Sequence, residues 1–141
     1  MKKFVIVDDA ASLVATMAYL IRAQGHEALA IAFNDSGCTR FLNRKEELNL
    51  VTQDIRAVAE AIQNFSPDFI FLDHDLRCDG LTGEHVAQAA KIPREKCIGI
   101  SSTYPQPYCF QKLPGSIKDL DVPIYEDHEH PKFITLLQSL I

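Results

Sequence analysis

The sequence predicts an α/β protein built on a doubly wound sheet of five parallel strands, and three observations carry that expectation. Phe4-Val5-Ile6-Val7 and Phe69-Ile70-Phe71-Leu72 are short continuous apolar runs, the pattern of strands buried on both faces in the middle of a parallel sheet. Segments with apolar residues at helical spacing lie between such runs. Strand and helix therefore alternate, which implies right-handed crossovers around a parallel sheet with helices on both sides. The third observation is that both runs stop at acidic residues, Asp8-Asp9 and Asp73.

The elements follow in order along the chain. Phe4-Val5-Ile6-Val7 is β-branched in three of its four positions and forms the first strand. Leu13, Val14, Met17, Leu20 and Ile21 fall at helical spacing, and Gly25 supplies the stop. Residues 28–33 form a second strand, broken by Asn34-Asp35-Ser36-Gly37. Residues 38–50 are charged, with Phe41, Leu42 and Leu48 too widely spread to define one apolar face, and read as an insertion. Ile55, Val58, Ala59, Ile62 and Phe65 restore helical periodicity until Ser66-Pro67-Asp68 ends it before the strand at 69–72. Leu81-Thr82-Gly83 opens a third helix running to about Ala90, and Pro93 closes it. Cys97-Ile98-Gly99-Ile100 is a fourth strand delivering Ser101-Ser102-Thr103. In the atypical region 104–121, Pro105, Pro107 and Pro114 interrupt any helix. Val122-Pro123-Ile124-Tyr125 is expected as the last strand, at an edge because its proline cannot donate to a ladder. Phe133, Ile134, Leu136, Leu137 and Leu140 form a terminal helix after Pro131. With no repeat, low-complexity segment or linker, residues 1–141 read as a single domain.

Composition excludes several function classes. Of 141 residues, 47% are hydrophobic and 23% charged, and 14 basic against 19 acidic side chains leave a net charge of -5. A negative chain is a poor candidate for a protein whose affinity comes from neutralising phosphate backbones, so no direct nucleic-acid partner is expected. Apolar runs fall far short of the ~20 residues a membrane span needs. Met1-Lys2-Lys3 precedes only four apolar residues, too few for a signal peptide, which predicts a cytoplasmic protein. Cys38, Cys78, Cys97 and Cys109 show no Cys-x-x-Cys spacing and read as free thiols.

In a doubly wound sheet the loops at the carboxyl ends of the strands share one crevice. That rule gathers Asp8 and Asp9 from the first strand, Asp73 and Asp75 from the third, and Ser101 or Ser102 from the fourth. Carboxylates crowded in one cleft repel unless a cation sits among them, and hard oxygen donors with open positions suit Mg2+. A carboxylate beside Mg2+ can act as nucleophile toward a phosphoryl donor, and Asp73, at the tip of the most central strand, is best placed to do so. Any one of these aspartates alone would read as a helix cap or turn former.

On these residues the sequence resembles the receiver domain of two-component response regulators, of the CheY-like kind. The match rests on Val5-Ile6-Val7-Asp8-Asp9, on Pro67-Asp68-Phe69-Ile70-Phe71-Leu72-Asp73, on Gly80 or Gly83 after the acceptor loop, and on Ile100-Ser101. The resemblance implies a flavodoxin-like, three-layer α/β/α receiver fold. It implies that Asp73 is the phosphoacceptor, that Asp8 and Asp9 bind Mg2+ with Asp73 and the main-chain carbonyl of Asp75, and that Ser101 contacts the phosphoryl group. A histidine kinase or phosphotransfer protein would be the donor. A standalone receiver would signal through protein contacts, with no enzymatic activity beyond autophosphorylation and autodephosphorylation of Asp73.

The chain departs from that pattern in two places. Receivers carry Lys-Pro after the fifth strand, whereas Glu126-Asp127-His128 follows the expected strand here. Lys112, in Phe110-Gln111-Lys112-Leu113-Pro114, substitutes if that segment is the strand instead, although its short separation from Ser101 leaves little room for the usual fourth helix. Receivers also place a proline four positions after the acceptor, and this chain has Arg77. Alternatives therefore stay open. One is a degenerate receiver acting as a phosphorylation-independent interaction module. Another is an enzyme on phosphate esters, since Leu72-Asp73-His74-Asp75-Leu76 looks like a divergent receiver branch thought to process cyclic phosphates. That string also resembles the Asp-x-Asp loop of haloacid-dehalogenase-type phosphatases, whose loop normally begins the chain.

Other features carry less. His74, His85, His128 and His130, with Cys78 and Asp79, lack any recognised ligand spacing for a transition metal. Gly80-Leu81-Thr82-Gly83 lacks the P-loop lysine and reads as a turn. Tyr104 and Tyr108 fall where receivers couple phosphorylation to partner surfaces, and a proline-rich loop accounts for them equally.

Overall fold

The computed structural model describes residues 1–33, 44–101, 103–113 and 131–140. Along the chain run β1 (Lys3–Asp8), α1 (Ala11–Ala23), β2 (Glu27–Phe33), a 3-10 turn (Lys45–Glu47), β3 (Leu50–Thr52), α2 (Ile55–Phe65) and β4 (Phe69–Leu72). Then follow β5 (Asp75–Cys78), β6 (Leu81–Thr82), α3 (Gly83–Ala89), a second 3-10 turn (Arg94–Lys96), β7 (Cys97–Gly99), β8 (Gln111–Lys112) and α4 (Pro131–Ser139). The main sheet has the order β3-β2-β1-β4-β7-β8, and every pairing in it is parallel. This is the doubly wound architecture the alternation of elements predicts.

β1 is central, and Phe4, Val5, Ile6 and Val7 are all fully buried because helices cover both faces. Phe4 and Ile6 point to one side, where Leu13, Val14 and Met17 of α1 and Phe133 and Leu137 of α4 pack on them. Val5 and Val7 point to the other, against Val58 and Ile62 of α2 and Val86 of α3. Each fully buried side chain of this kind is worth about 1.5–3 kcal/mol over leaving it in water, so the two apolar layers, not intrinsic propensity, hold the short strands together. No helix among the described residues is long and apolar enough to cross a membrane.

Local chemistry ends the helices where the sequence predicts. α1 stops before Gly25, whose φ of 85° lies in the left-handed region. The Asp54 carboxylate accepts the Arg56 N–H at 2.9 Å to start α2, and Ser66 in a left-handed conformation ends it ahead of Pro67.

Three expectations are refined. The segment 38–50 is not an insertion apart from the sheet throughout. Its described end, with the residues after it, forms the Lys45–Glu47 turn and β3, a sixth strand beside β2. Arg22 holds that end in place: its guanidinium donates to the Glu47 carboxylate at 2.6 Å, to the Ala28 carbonyl at 3.0 Å and to the Asn49 side chain at 2.7 Å. Isolated charges give periodicity analysis nothing to detect, yet together they fix a strand edge.

The third helix begins at Gly83 instead of Leu81, because Leu81–Thr82 folds back on Asp75–Cys78 as an antiparallel hairpin. Asp79 and Gly80 turn it with φ of 47° and 75°, positive at both central positions as an Asp-Gly turn of this type requires. The expected last strand at 122–125 lies outside the described residues. The position beside β7 is taken by Gln111–Lys112 within the atypical region, with Ile98 opposite Gln111 and Gly99 opposite Lys112.

Cys78, Cys97 and Cys109 are free thiols, as expected. Cys97 and Cys109 are buried, and the Cys97 thiol donates to the Pro93 carbonyl at 3.5 Å; the neighbouring Cys97 thiol and burial push the Cys109 thiol pKa up.

Gly83 brings the start of α3 close against the backbone that follows β4. Its N–H donates to the His74 carbonyl at 3.0 Å, and a Cβ there would collide with the Asp73 carbonyl oxygen. Gly83→Ala is expected to destabilise the fold by about 1–3 kcal/mol, as overpacking against backbone does. Urea unfolding checks this, and an unchanged midpoint would contradict the close approach.

Candidate functional site

The strand order reverses between β1 and β4: the chain winds outward from β1 through β2 to β3, then returns to the other side of β1. A crevice opens at the carboxyl ends of strands at such a reversal. Two acidic strand ends border it. Asp8 closes β1 fully buried, and its carboxylate accepts the Ala10 N–H at 2.8 Å, which aims the side chain as the chain turns into α1. Asp73 extends β4 by one rung, its N–H donating to the Val7 carbonyl at 3.0 Å, and its side chain is buried.

Asp8, Asp9 and Asp73 converge: one carboxylate oxygen from each lies within 4.8 Å of the others. At that separation a pair of full negative charges repels by at least roughly 3 kcal/mol for an effective dielectric of about 20. Such a group calls for compensating positive charge. Arg77 supplies some, its Nε standing 3.4 Å from the Asp9 carboxylate, but its side chain is largely exposed and the pair is correspondingly weak. The donor set is all oxygen, from residues on two adjacent strand ends, and fits a hard divalent cation such as Mg2+.

Around this group the structure distributes the remaining candidates. Asp75 begins β5, and its exposed carboxylate accepts the Arg77 N–H at 2.9 Å in a local turn, outside the three-carboxylate group. Ser101 follows β7, buried, and its hydroxyl oxygen accepts the N–H groups of Thr103 at 3.3 Å and Tyr104 at 3.1 Å. Ser102 lies outside the described residues. Lys112 stands on β8, and its ammonium donates to the Tyr104 carbonyl at 2.7 Å.

The remaining histidines separate cleanly. His85 caps α3, its Nδ1 accepting the Thr82 N–H at 3.0 Å, while Cys78 faces Gln53 at 3.8 Å. Neither joins a metal-ligand group among the described residues. His128 and His130 lie outside the described residues. His74 sits beside the acidic group with Tyr104 and Tyr108 against its ring, at centroid distances of 5.2 and 6.0 Å.

Gln106 was not legible in the sequence. Flanked by Pro105 and Pro107 in a region without periodicity, it reads as a loop residue, yet it is buried. Its amide accepts from the Ser101 N–H at 3.0 Å and donates to the Leu72 carbonyl at 2.9 Å and to the Tyr108 hydroxyl at 2.8 Å. The one available signal was Gly99, a glycine inside a strand, where a Cβ would collide with the Gln106 amide.

Comparison with solved structures bears on this arrangement. The N-terminal domain of a response regulator receiver protein from Methanoculleus marisnigri JR1 superimposes with a TM-score of 0.52 at 13% identity, covering 85% of this chain and 90% of that one. The response regulator domain of Thermotoga maritima CheB gives 0.53 at 12% identity, over 99% and 93%. The chain has the receiver fold. A third receiver-fold neighbour, the signal receiver domain of a modulated diguanylate cyclase from Desulfovibrio desulfuricans G20, gives 0.52 at 16% identity over 99% and 96%. No family model matches the sequence, and no curated protein matches it. Likeness at these identities speaks for the receiver fold alone.

Tyr108 makes an accessible probe of this region. Burial pushes its phenol pKa well above the ordinary value, only partly opposed by the hydrogen bond from Gln106. Below about pH 10 the hydroxyl is protonated in folded and unfolded chains alike; above it the unfolded chain releases a proton that the folded one retains, so stability falls as pH rises. Tyr108→Phe is expected to lessen that alkaline loss, as measured by denaturant midpoints between pH 9 and pH 11. Parallel pH profiles for the variant and wild type would contradict the burial effect.

Proposed function

We propose that the chain is a Mg2+-dependent phosphoacceptor: a single receiver-like domain over residues 1–141, phosphorylated on Asp73 in a two-component phosphorelay. The observation that carries this reading is the meeting of the Asp8, Asp9 and Asp73 carboxylates at the strand-order reversal, with Ser101 just past the end of β7. Asp8, Asp9, Asp73 and the main-chain carbonyl of Asp75 would hold the ion. When bound, Mg2+ would neutralise the acidic group and the charge on the transferring oxygens.

Asp73 is the nucleophile. One carboxylate oxygen forms a bond to phosphorus while the bond from phosphorus to the donor's leaving group breaks, which leaves an acyl phosphate on the strand end. β4 supplies the rigidity for this step, because the Asp73 N–H is held in the ladder by Val7. Ser101 orients the product. Its hydroxyl is an acceptor in both bonds to the turn, so it retains its own hydrogen to donate to a phosphoryl oxygen. Lys112, on the strand after β7, is assigned the ammonium role in charge stabilisation.

The donor is a histidine kinase or phosphotransfer protein in the cytoplasm, and output passes through protein contacts. Added charge at Asp73 biases the surrounding loops, which a partner then reads. One observation favours the rival reading of an interaction module that is never phosphorylated: the Lys112 ammonium is engaged by the Tyr104 carbonyl at 2.7 Å.

Incubation with acetyl phosphate and Mg2+, followed by intact mass spectrometry, separates the two. Wild type is expected to gain one phosphoryl group, Asp73→Asn none, and Lys112→Ala to gain it more slowly. An unmodified wild type, or an adduct that survives Asp73→Asn, would sink the phosphoacceptor reading. Calorimetry provides a second check. Asp8→Asn should weaken Mg2+ binding by roughly tenfold or more, as loss of a charged ligand oxygen does, and an unchanged binding curve would remove Asp8 from the ion's shell.

A further inference from the structure

The connection from β7 to β8 contains no helix among its described residues, yet it carries the most connected polar side chain near the site. Gln106 is 6% exposed and uses three of its hydrogen-bonding positions. Its oxygen faces the Ser101 N–H, and its amino group faces the Leu72 carbonyl and the Tyr108 hydroxyl. Reversing the amide would set its donors against the Ser101 N–H and its acceptor against a carbonyl, so the network dictates the orientation. The Tyr108 oxygen accepts from Gln106, and the same hydroxyl shares a hydrogen bond with His74 Nδ1 at 3.0 Å.

The two backbone groups Gln106 joins are not arbitrary. Leu72 immediately precedes Asp73, and its carbonyl also accepts the Ile100 N–H at 3.0 Å. Ser101 is the next residue after Ile100, where the regular pairing of β4 with β7 has ended. One side chain thus continues the sheet's hydrogen bonding past the end of the ladder, where a backbone strand would otherwise be needed. Gly99 makes room for it, since any side chain at that position would displace the amide.

We propose that Gln106 is a positioning residue for phosphoryl transfer, its buried amide tying Ser101 to the strand end that carries Asp73. The proposal rests on the phosphoacceptor reading above and adds a residue to it. Gln106 is assigned no contact with the phosphoryl group or the ion; its hydrogen-bond partners are Ser101, Leu72 and Tyr108. It fixes the separation between the strand that bears the nucleophile and the residue that bears the hydroxyl. Loss of the amide therefore misplaces Ser101 while leaving Asp8, Asp9 and Asp73 in place.

The test compares wild type, Gln106→Met and Gln106→Glu in three measurements: phosphorylation rate with acetyl phosphate, Mg2+ affinity by calorimetry, and melting temperature. Gln106→Met keeps the length of the side chain and removes its polar atoms. It is expected to slow phosphorylation about tenfold, within the range that small misplacements produce, with Mg2+ affinity within about twofold of wild type. Gln106→Glu, which preserves shape and an acceptor for Ser101 but loses both donors, should also be slowed, and it serves if the Met variant fails to fold. A rate within about twofold of wild type in a folded variant would overturn the positioning role and leave Asp73 as acceptor. Equal losses of rate and Mg2+ affinity would overturn it as well, since they mark general collapse of the site. No adduct on wild type would overturn both readings together.

Discussion

The parallel pairing of β1 with β4 is the constraint from which the rest of the molecule follows. Its register places Val7 opposite Leu72 and so puts the residues after them, Asp8 and Asp73, side by side. Both strands are apolar on both faces, so a slip of one residue would bury nearly the same surface and would not be excluded by polarity alone. Other contacts decide the register. At the start of the pair, the Asp68 carboxylate accepts the Lys3 N–H at 2.8 Å and the Asp68 N–H donates to the Lys3 carbonyl at 2.8 Å. Phe4 stacks on Phe69 and Phe71 at centroid distances of 5.9 and 5.8 Å, which a slip would undo.

That register concentrates negative charge at one end of a hydrophobic sheet. The arrangement opposes stability, because buried carboxylates are costly to ionise and repel one another. It is tolerated where the local backbone can meet part of the demand, as the Ala10 N–H does for Asp8. Strain also gathers here: Arg77 and Asp79, in the hairpin after Asp73, both have positive φ, the conformation that glycine adopts with least penalty. A fold selected for stability alone has no reason to assemble these features at the strand-order reversal.

The described connection from Ile100 to Phe110 shows a different economy from the rest of the sheet. In the β1–β2, β3–β4 and β4–β7 connections, α1, α2 and α3 respectively pack onto the strands. Here a single glutamine and a tyrosine hydroxyl do the joining, and the rings of Tyr104 and Tyr108 flank His74. A short polar network of this kind is rigid only while every member is satisfied, so its state is sensitive to changes at Ser101 or His74.

Local pattern was enough for the elements whose burial is repeated along the chain. Four apolar residues in a row announce a central strand, and Ile55, Val58 and Ile62 announce a helix, because periodic burial leaves periodic residues. Asp8, Asp9 and Asp73 were legible for a related reason: strand ends have a known destination in a doubly wound sheet. The resemblance to receivers rested on those same stretches. What escaped was irregular. β3 depends on Arg22 reaching across 25 residues to Glu47, and β8 on two residues paired with Gly99 and its neighbour. Gln106 looks like any polar residue between prolines. One-dimensional pattern records which face is buried, so it determined the layers and the acidic crevice. Only the three-dimensional chain decided which single polar atoms meet, because hydrogen bonds between distant residues leave no period behind.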